Sequence, residues 1–282
     1  MPPQRITLRS QWLGQQLREL REAADMKLSD AGEFIRRDQS QVSRFERGTY
    51  PIRGHDVEAL LNLYGVNDKK RRETMCAMAD EAWRTDWWQG YTDEVVGELI
   101  DYVWLESRAT GICEFAIIAI PGLLQTSDYA RALIRAGDPD ESEDVTERWV
   151  ELRLKRQTIL ARASAPTYSM VIDEGALRRT VGSPKTHATQ LRYLLDRAQA
   201  NIEVRVLPFS AGAHASPDGS FSIFTLDDPY PEAVFVESPA GALYLEPPKT
   251  DRFIAMYDRV KNQAHDPTRS ARLIESIVNE LE

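Results

Sequence analysis

The chain opens on helical spacing. Leu13, Leu17 and Leu20 recur at three- and four-residue intervals in a segment that also carries Arg18 and Arg21, which predicts an amphipathic helix broken at Ala24-Asp25. Ala31, Phe34 and Ile35 mark the expected buried face of a second, short helix from about Leu28 to Ile35, with Gly32 where two helices cross closely. The stretch from Asp38 to Gly48 then reads as one more short helix. Asp38 is suited to accept from the free N–H groups of a first turn, and Gly48 to stop the helix in a left-handed conformation. Val42 and Phe45 give it a narrow apolar stripe. Tyr50-Pro51 forces a loop. Val57, Leu60, Leu61 and Leu63 predict a fourth helix stopped at Gly65, and Met75, Met78, Ala79 and Ala82 a fifth from Asp68 to Arg84.

The pattern changes after residue 84. Trp87, Trp88 and Tyr91 are costly to leave in water and are expected to anchor a linker, so the boundary is placed between residues 84 and 85. A helix from Asp93 to about Ser107 follows. Strand-like runs then cover Gly111–Ile120, Tyr168–Ile172, Ile202–Leu207, Phe221–Leu226 and Val234–Glu237. Helical spacing separates or follows them, from Thr126 to Gly137, Val145 to Ala163, Lys185 to Ala200, Asp251 to Gln263 and Pro267 to Leu281. The expected fold class is α+β: an all-α five-helix domain over 1–84, then a mixed α/β domain of about five or six strands over 85–282. The pairing order of those strands is not written in the pattern.

The polar face of the Asp38–Gly48 segment carries Gln39, Ser40, Gln41, Ser43, Arg44 and Arg47. Gln is suited to adenine, and Arg to guanine and phosphate. Helix, short helix, tight turn and polar helix, in that order, is the helix-turn-helix arrangement. It predicts base contacts from Gln39, Ser40, Gln41 and Arg44. Backbone contacts are expected from Ser43 and Arg47 and from the flanking Lys27, Arg37, Tyr50 and Arg53. The partner is then a double-stranded DNA operator.

Net charge is −9 over 282 residues, which is unusual for a DNA binder until its distribution is read. Residues 1–84 hold 15 Lys+Arg against 13 Asp+Glu, and the rest holds 20 against 31. Positive charge is confined to the motif end, and the acidic remainder keeps DNA off the rest of the surface. A module of such weak charge favours two copies on two half-sites, so a homodimer is expected. The final helix, with Leu273, Ile274, Ile277, Val278 and Leu281, either contributes to that interface or packs on its own domain.

Two cysteines, Cys76 and Cys113, and four scattered histidines show neither disulfide nor metal-ligand spacing, so no metal and no cofactor are expected. No apolar run approaches the roughly 18 residues of a membrane span, and the N-terminus lacks a signal-peptide apolar region, so the expected location is cytoplasmic. Glycine-rich phosphate loops, the Gly-x-Ser-x-Gly elbow and His-Glu-x-x-His are all missing, so no catalytic residues are assigned. The polar set Glu106, Arg153, Arg156, Gln157, Asp173, Glu174 and His214 reads as buried ion pairs and helix caps; the alternatives are a small-molecule sensor behind the DNA module and, behind that, an enzyme with a DNA-binding appendage. Pro121-Gly122-Leu123-Leu124 is either a turn followed by two core leucines or a loop lining a pocket at a strand's C-terminal edge. On the second reading Pro121, Gly122, Gln125, Thr126, Arg153, Arg156 and His214 form a ligand or partner site.

Two resemblances follow from these residues. Gly32, Ile35, Asp38, Gln39, Val42, Ser43, Phe45, Glu46 and Gly48 resemble the Cro/repressor-type helix-turn-helix family, the xenobiotic-response-element class. The segment Met26 to Ala31 departs from that family's common Thr-Gln-Glu-Glu-Leu, and Lys27 stands in for its phosphate-touching Gln. Trp87-Trp88, Glu106, Pro121 to Thr126, Tyr129-Ala130-Arg131, Arg153, Arg156-Gln157, Asp173 to Arg178, Gln190-Leu191, Val206 to Phe209, Ala211 to His214 and Glu237 are similar to the uncharacterised domain of WhiJ-like actinobacterial regulators. That resemblance implies a cytoplasmic DNA-binding regulator paired with a small protein encoded nearby. It supplies no ligand or reaction.

Overall fold

The threonine before the first described helix sets its start: the Thr7 hydroxyl accepts from the Ser10 N–H. Helix α1 (Leu8–Ala23) is followed by α2 (Leu28–Phe34), α3 (Gln39–Glu46), α4 (Gly54–Leu63) and α5 (Lys69–Trp83). The computed structural model describes residues 7–83, 97–198 and 201–282, and its contacts divide the chain into two units, Met1–Asp101 and Tyr102–Glu282. The boundary expected between residues 84 and 85 and the aromatic linker of Trp87, Trp88 and Tyr91 lie outside the described residues.

In the first unit Trp12, Leu13, Leu17, Val42, Phe45, Val57, Leu60, Leu61, Met75 and Met78 form the apolar interior, each at most a few per cent exposed. The expected buried face of α2 is corrected at one position: Ala31, Gly32 and Ile35 point inward, but Phe34 is 51% exposed. A helix of seven residues buries only a narrow arc, and residues 31 and 35, four apart, already fill it. Gly32 makes that packing possible, since a Cβ there would lie 2.7 Å from the Arg37 carbonyl oxygen.

The second unit is built on a six-stranded sheet. Helix α6 (Gly97–Arg108) runs directly into β1 (Ala109–Ala116). Then come α7 (Ser127–Gly137), α8 (Glu143–Arg156), β2 (Thr167–Asp173), α9 (Glu174–Arg178), α10 (Pro184–Arg197) and β3 (Ile202–Leu207). β4 (Phe221–Leu226), β5 (Ala233–Ser238) and β6 (Gly241–Leu245) form an antiparallel meander, and α11 (Thr250–Gln263) and α12 (Pro267–Leu281) close the chain. The sheet order is β3-β2-β1-β4-β5-β6, with β1, β2 and β3 parallel and β4 antiparallel to β1. Helical crossovers join the parallel strands, as parallel pairing requires. The fold is α+β overall.

Side-chain alternation separates two faces. Phe115, Val171, Leu207, Phe221, Ile223 and Val234 pack under Met256, Tyr257 and Val260 of α11. On the opposite face lie Ile112, Glu114, Tyr168 and Phe224, where Tyr102 of α6 sets its ring 5.4 Å from that of Phe224. The strand expected over Gly111–Ile120 stops at Ala116. Its partner β4 begins opposite Phe115, the Ile117 N–H turns to the Ser220 hydroxyl, and Ile118 is 71% exposed. The helix expected to reach Ala163 ends at Arg156 and continues as a 3-10 turn over Gln157–Ala161.

Candidate nucleic-acid interface

Helix α3 is fixed at both ends and from beneath. Its N-cap Asp38 accepts from the Gln41 N–H at 2.8 Å, and the Ser40 hydroxyl donates to the same carboxylate oxygen at 2.5 Å. The hydroxyl and the N–H hold the Asp38 carboxyl below the usual carboxylate range. At the far end Gly48 takes φ +65°, and a Cβ there would lie 2.6 Å from the backbone of Gln11, so the position requires glycine twice over. Gly14 of α1 crosses beneath, where a Cβ would meet the Phe45 carbonyl oxygen at 2.3 Å. The turn into α3 carries Arg36 at φ +56°.

An inward-facing ion pair completes the support. Arg21 of α1 donates through Nε and Nη2 to the two carboxylate oxygens of Glu46 at 2.6 and 2.8 Å, and through Nη1 to the Met26 carbonyl at 2.8 Å. Both side chains are about nine-tenths buried. The hydrogen bond to Glu46 holds the Arg21 guanidinium above its ordinary range. Arg21 appears in the sequence as one more charge on a helix face. Only the spacing of Glu46, one residue beyond the apolar Phe45, hints that it turns inward.

Outward, Gln39, Ser40 and Arg44 are exposed, and Gln41 and Ser43 are half-buried. The side chains of Gln39, Gln41 and Arg44 make no hydrogen bond among the described residues, whereas Ser40 is engaged with Asp38. Arg47 is exposed, with Nε on the Ser43 carbonyl at 3.1 Å. Among the flanking positions Lys27 is exposed beside the start of α2, where its N–H donates to Asp30. Arg37 lies 3.4 Å from Asp56. Tyr50 is 41% exposed and sets its ring 6.1 Å from Phe45. Arg53 stacks on Trp83, its guanidinium carbon 3.5 Å from the ring centre. Arg37 and Tyr50 flank α3 in the chain and Arg53 is tied to Tyr50 through Trp83, while the outer face of the helix carries two amides and one guanidinium without a hydrogen bond among the described residues.

In the second unit the loop from Ile120 to Thr126 is clamped. Gln125 donates to the Ile120 carbonyl at 2.6 Å, Gln157 to the carbonyls of Gly122 and Gln125, and Gln190 to the Leu124 carbonyl, while Gln190 Oε1 accepts from the Thr126 N–H. Arg153 donates to Gln125 at 2.7 Å. Arg156 meets Glu106 through two bonds of 2.7 and 2.6 Å, both side chains buried. Burial works against that cation, but Glu106 holds Arg156 above the usual arginine range. Arg153 has no ion pair among the described residues, and burial followed by the neighbouring Arg156 lowers it to about 10. Of the residues assigned here from sequence, Pro121, Gly122, Gln125, Thr126, Arg153 and Arg156 are brought together. His214 is not: its ring packs 5.4 Å from that of Phe115, on the face of β1 opposite Glu114. A depression of about 460 Å³, lined by Ser183, Lys185, Ala188, Arg192 and Leu281, lies elsewhere, between α10 and α12. No group of three or more His, Cys, Asp or Glu that could hold a metal ion occurs among the described residues. No helix among them is long and apolar enough to cross a membrane.

Residues 12–74 match the helix-turn-helix domain family, which makes the first unit a helix-turn-helix module and points to a DNA-binding regulator. Residues 99–276, well over half of the chain, match the domain of unknown function DUF5753, and the chain belongs to that family. No curated protein and no solved structure matches it.

Proposed function

We propose that this protein is a cytoplasmic, sequence-specific transcriptional regulator of the Cro/repressor class, without catalytic activity of its own, in which α3 reads an operator through the major groove. The observation that carries the reading is the exposed face of α3. Gln39 and Arg44 stand free on a helix held rigid by the Asp38 cap, Gly48 and the Arg21–Glu46 pair. Lys27, Arg37, Ser43, Arg47, Tyr50 and Arg53 surround that face and serve the phosphates, which position a protein without specifying sequence. The second unit, WhiJ-like, receives a signal from a small partner protein docked near Pro121 to Thr126. Any effector shifts DNA affinity only by its difference in affinity for the arrangements it selects between.

The test is selection of duplexes from a random-sequence pool by the full chain. A defined motif is expected. Arg44→Ala and Gln39→Ala then lose about 1–3 kcal/mol on it and relax base preference, with a smaller loss on unrelated DNA. Recovery of no motif, or undiminished binding by both variants, overturns the assignment. Arg153, half-buried and without an ion pair among the described residues, favours a second reading in which the unit senses an anionic small molecule.

A further inference from the structure

We infer that Trp83, the last residue of α5, is a positioning residue for a DNA-backbone contact made by Arg53. The inference rests on the DNA-reading assignment above. Arg53 is exposed at the N-cap of α4, in the loop that follows the recognition helix. Its guanidinium lies over the Trp83 ring at 3.5 Å. The Trp83 indole N–H donates to the Ile52 carbonyl at 2.9 Å, so the same side chain also holds the loop backbone one residue before the arginine. Tyr50 meets the Trp83 ring edge-on at 6.4 Å and sits 6.1 Å from Phe45. An aromatic chain thus runs from the buried side of α3, through Tyr50 and Trp83, to Arg53.

What this stacking leaves free gives it a purpose. Arg21 spends its donors on Glu46 and Met26, Arg37 faces Asp56, and Arg72 donates to Asn62 and the Val66 carbonyl. Arg53 is ordered instead by a ring, which takes none of its N–H groups, and it has no ion pair among the described residues. A stacked guanidinium keeps its planar fork of donors directed outward, the geometry that suits two oxygens of a phosphodiester. Much of the rotamer freedom that an exposed arginine loses on binding is already gone. Trp83 lies beyond the residues that match the helix-turn-helix family, so the matched module alone omits this support.

The experiment measures binding of the full chain to a mixed-sequence DNA duplex across salt, for wild type, Arg53→Ala, Trp83→Leu, the double variant and Trp83→Phe. One lost phosphate contact lowers the salt slope by about 0.9, so the affinity lost between 50 and 200 mM salt shrinks by about 3-fold. Arg53→Ala and Trp83→Leu each show that change, and the double variant shows it once. Trp83→Phe, which keeps a ring face, retains most of the wild-type slope. Independent losses in the double variant, or a Trp83→Leu slope equal to wild type, overturn the inference. So does a Trp83→Phe variant that is folded by its thermal melt yet as impaired as Trp83→Leu. An unchanged slope in Arg53→Ala overturns it while leaving the reading helix intact if Arg44→Ala still loses base preference. A wild-type chain that retains no duplex at low salt overturns the DNA-reading assignment itself.

Discussion

Glu46 turns inward from the helix whose opposite face is exposed, and burying its carboxylate is tolerable only because Arg21 meets it with two hydrogen bonds. Removing one partner leaves the other charged and buried. Glu46→Ala is therefore expected to cost about 3–5 kcal/mol in urea denaturation, and the paired change of Arg21 and Glu46 to Met and Leu far less. Equal losses in the single and paired variants would show that shape, not charge, holds the site. Glu114 is a half-buried carboxyl of another kind. Burial pushes it up to about 7, against the opposing hydrogen bond from the Tyr168 hydroxyl at 2.6 Å. Between the ordinary glutamate range and about pH 7 the unfolded chain releases a proton that the folded chain keeps, so stability falls as pH rises through that window. Glu114→Gln still accepts from Tyr168 and removes this titration. Its melting temperature is expected to lose that slope and to exceed wild type above pH 7, by about 1–2 kcal/mol of stability. Parallel curves for the two proteins would assign the slope to another group.

At the scale of elements, close approach decides more than propensity. Gly14 brings α1 onto the end of α3 at a distance that excludes any Cβ, while Gly65 ends α4 at φ +70° with nothing within 4 Å of the added atom. Gly14→Ala is expected to cost about 2 kcal/mol or more through forced separation of two helices, and Gly65→Ala only about 1 kcal/mol of backbone strain. Circular dichroism melts separate the two, and an equal cost would place the strain in the backbone alone. The caps Asp38 and Thr126 were legible because capping is a local contest between a side chain and the first free N–H groups. Strand β6 was not. Its residues Gly241 to Leu245 carry no clear alternation, and the strand exists because β5 offers it a register from Val234–Leu245 to Ser238–Gly241.

For the whole molecule, charge segregation is the property with consequences. A first domain of nearly balanced charge attached to an acidic remainder is expected to reach useful affinity for DNA by engaging two half-sites. Light scattering at micromolar concentration is expected to report twice the 32.1 kDa chain mass, with two protomers per duplex. A single chain per duplex at full affinity would remove the dimer. The apolar stripe of α12 is already partly committed: Ile274, Ile277 and Val278 are buried within their own unit, where α12 packs on α10 and β3. The expected interface between copies would therefore need other residues as well.

The sequence by itself determined what local physics controls: the order of the helices, the caps at Asp38 and Thr126, the glycine stops at Gly48 and Gly65, the polar face of α3 and the α+β division. Each follows from residues within a turn or two of one another, where periodicity, capping and left-handed glycine act. Only the tertiary structure decided the sheet order β3-β2-β1-β4-β5-β6, the partnering of Arg21 with Glu46 and of Arg156 with Glu106, the stacking of Arg53 on Trp83, and the separation of His214 from the clamped loop. Those pairs lie between 25 and 50 residues apart in the chain. A charge or a ring at such separation has no signature of its own, because its partner is chosen by which surfaces meet when the apolar faces are buried.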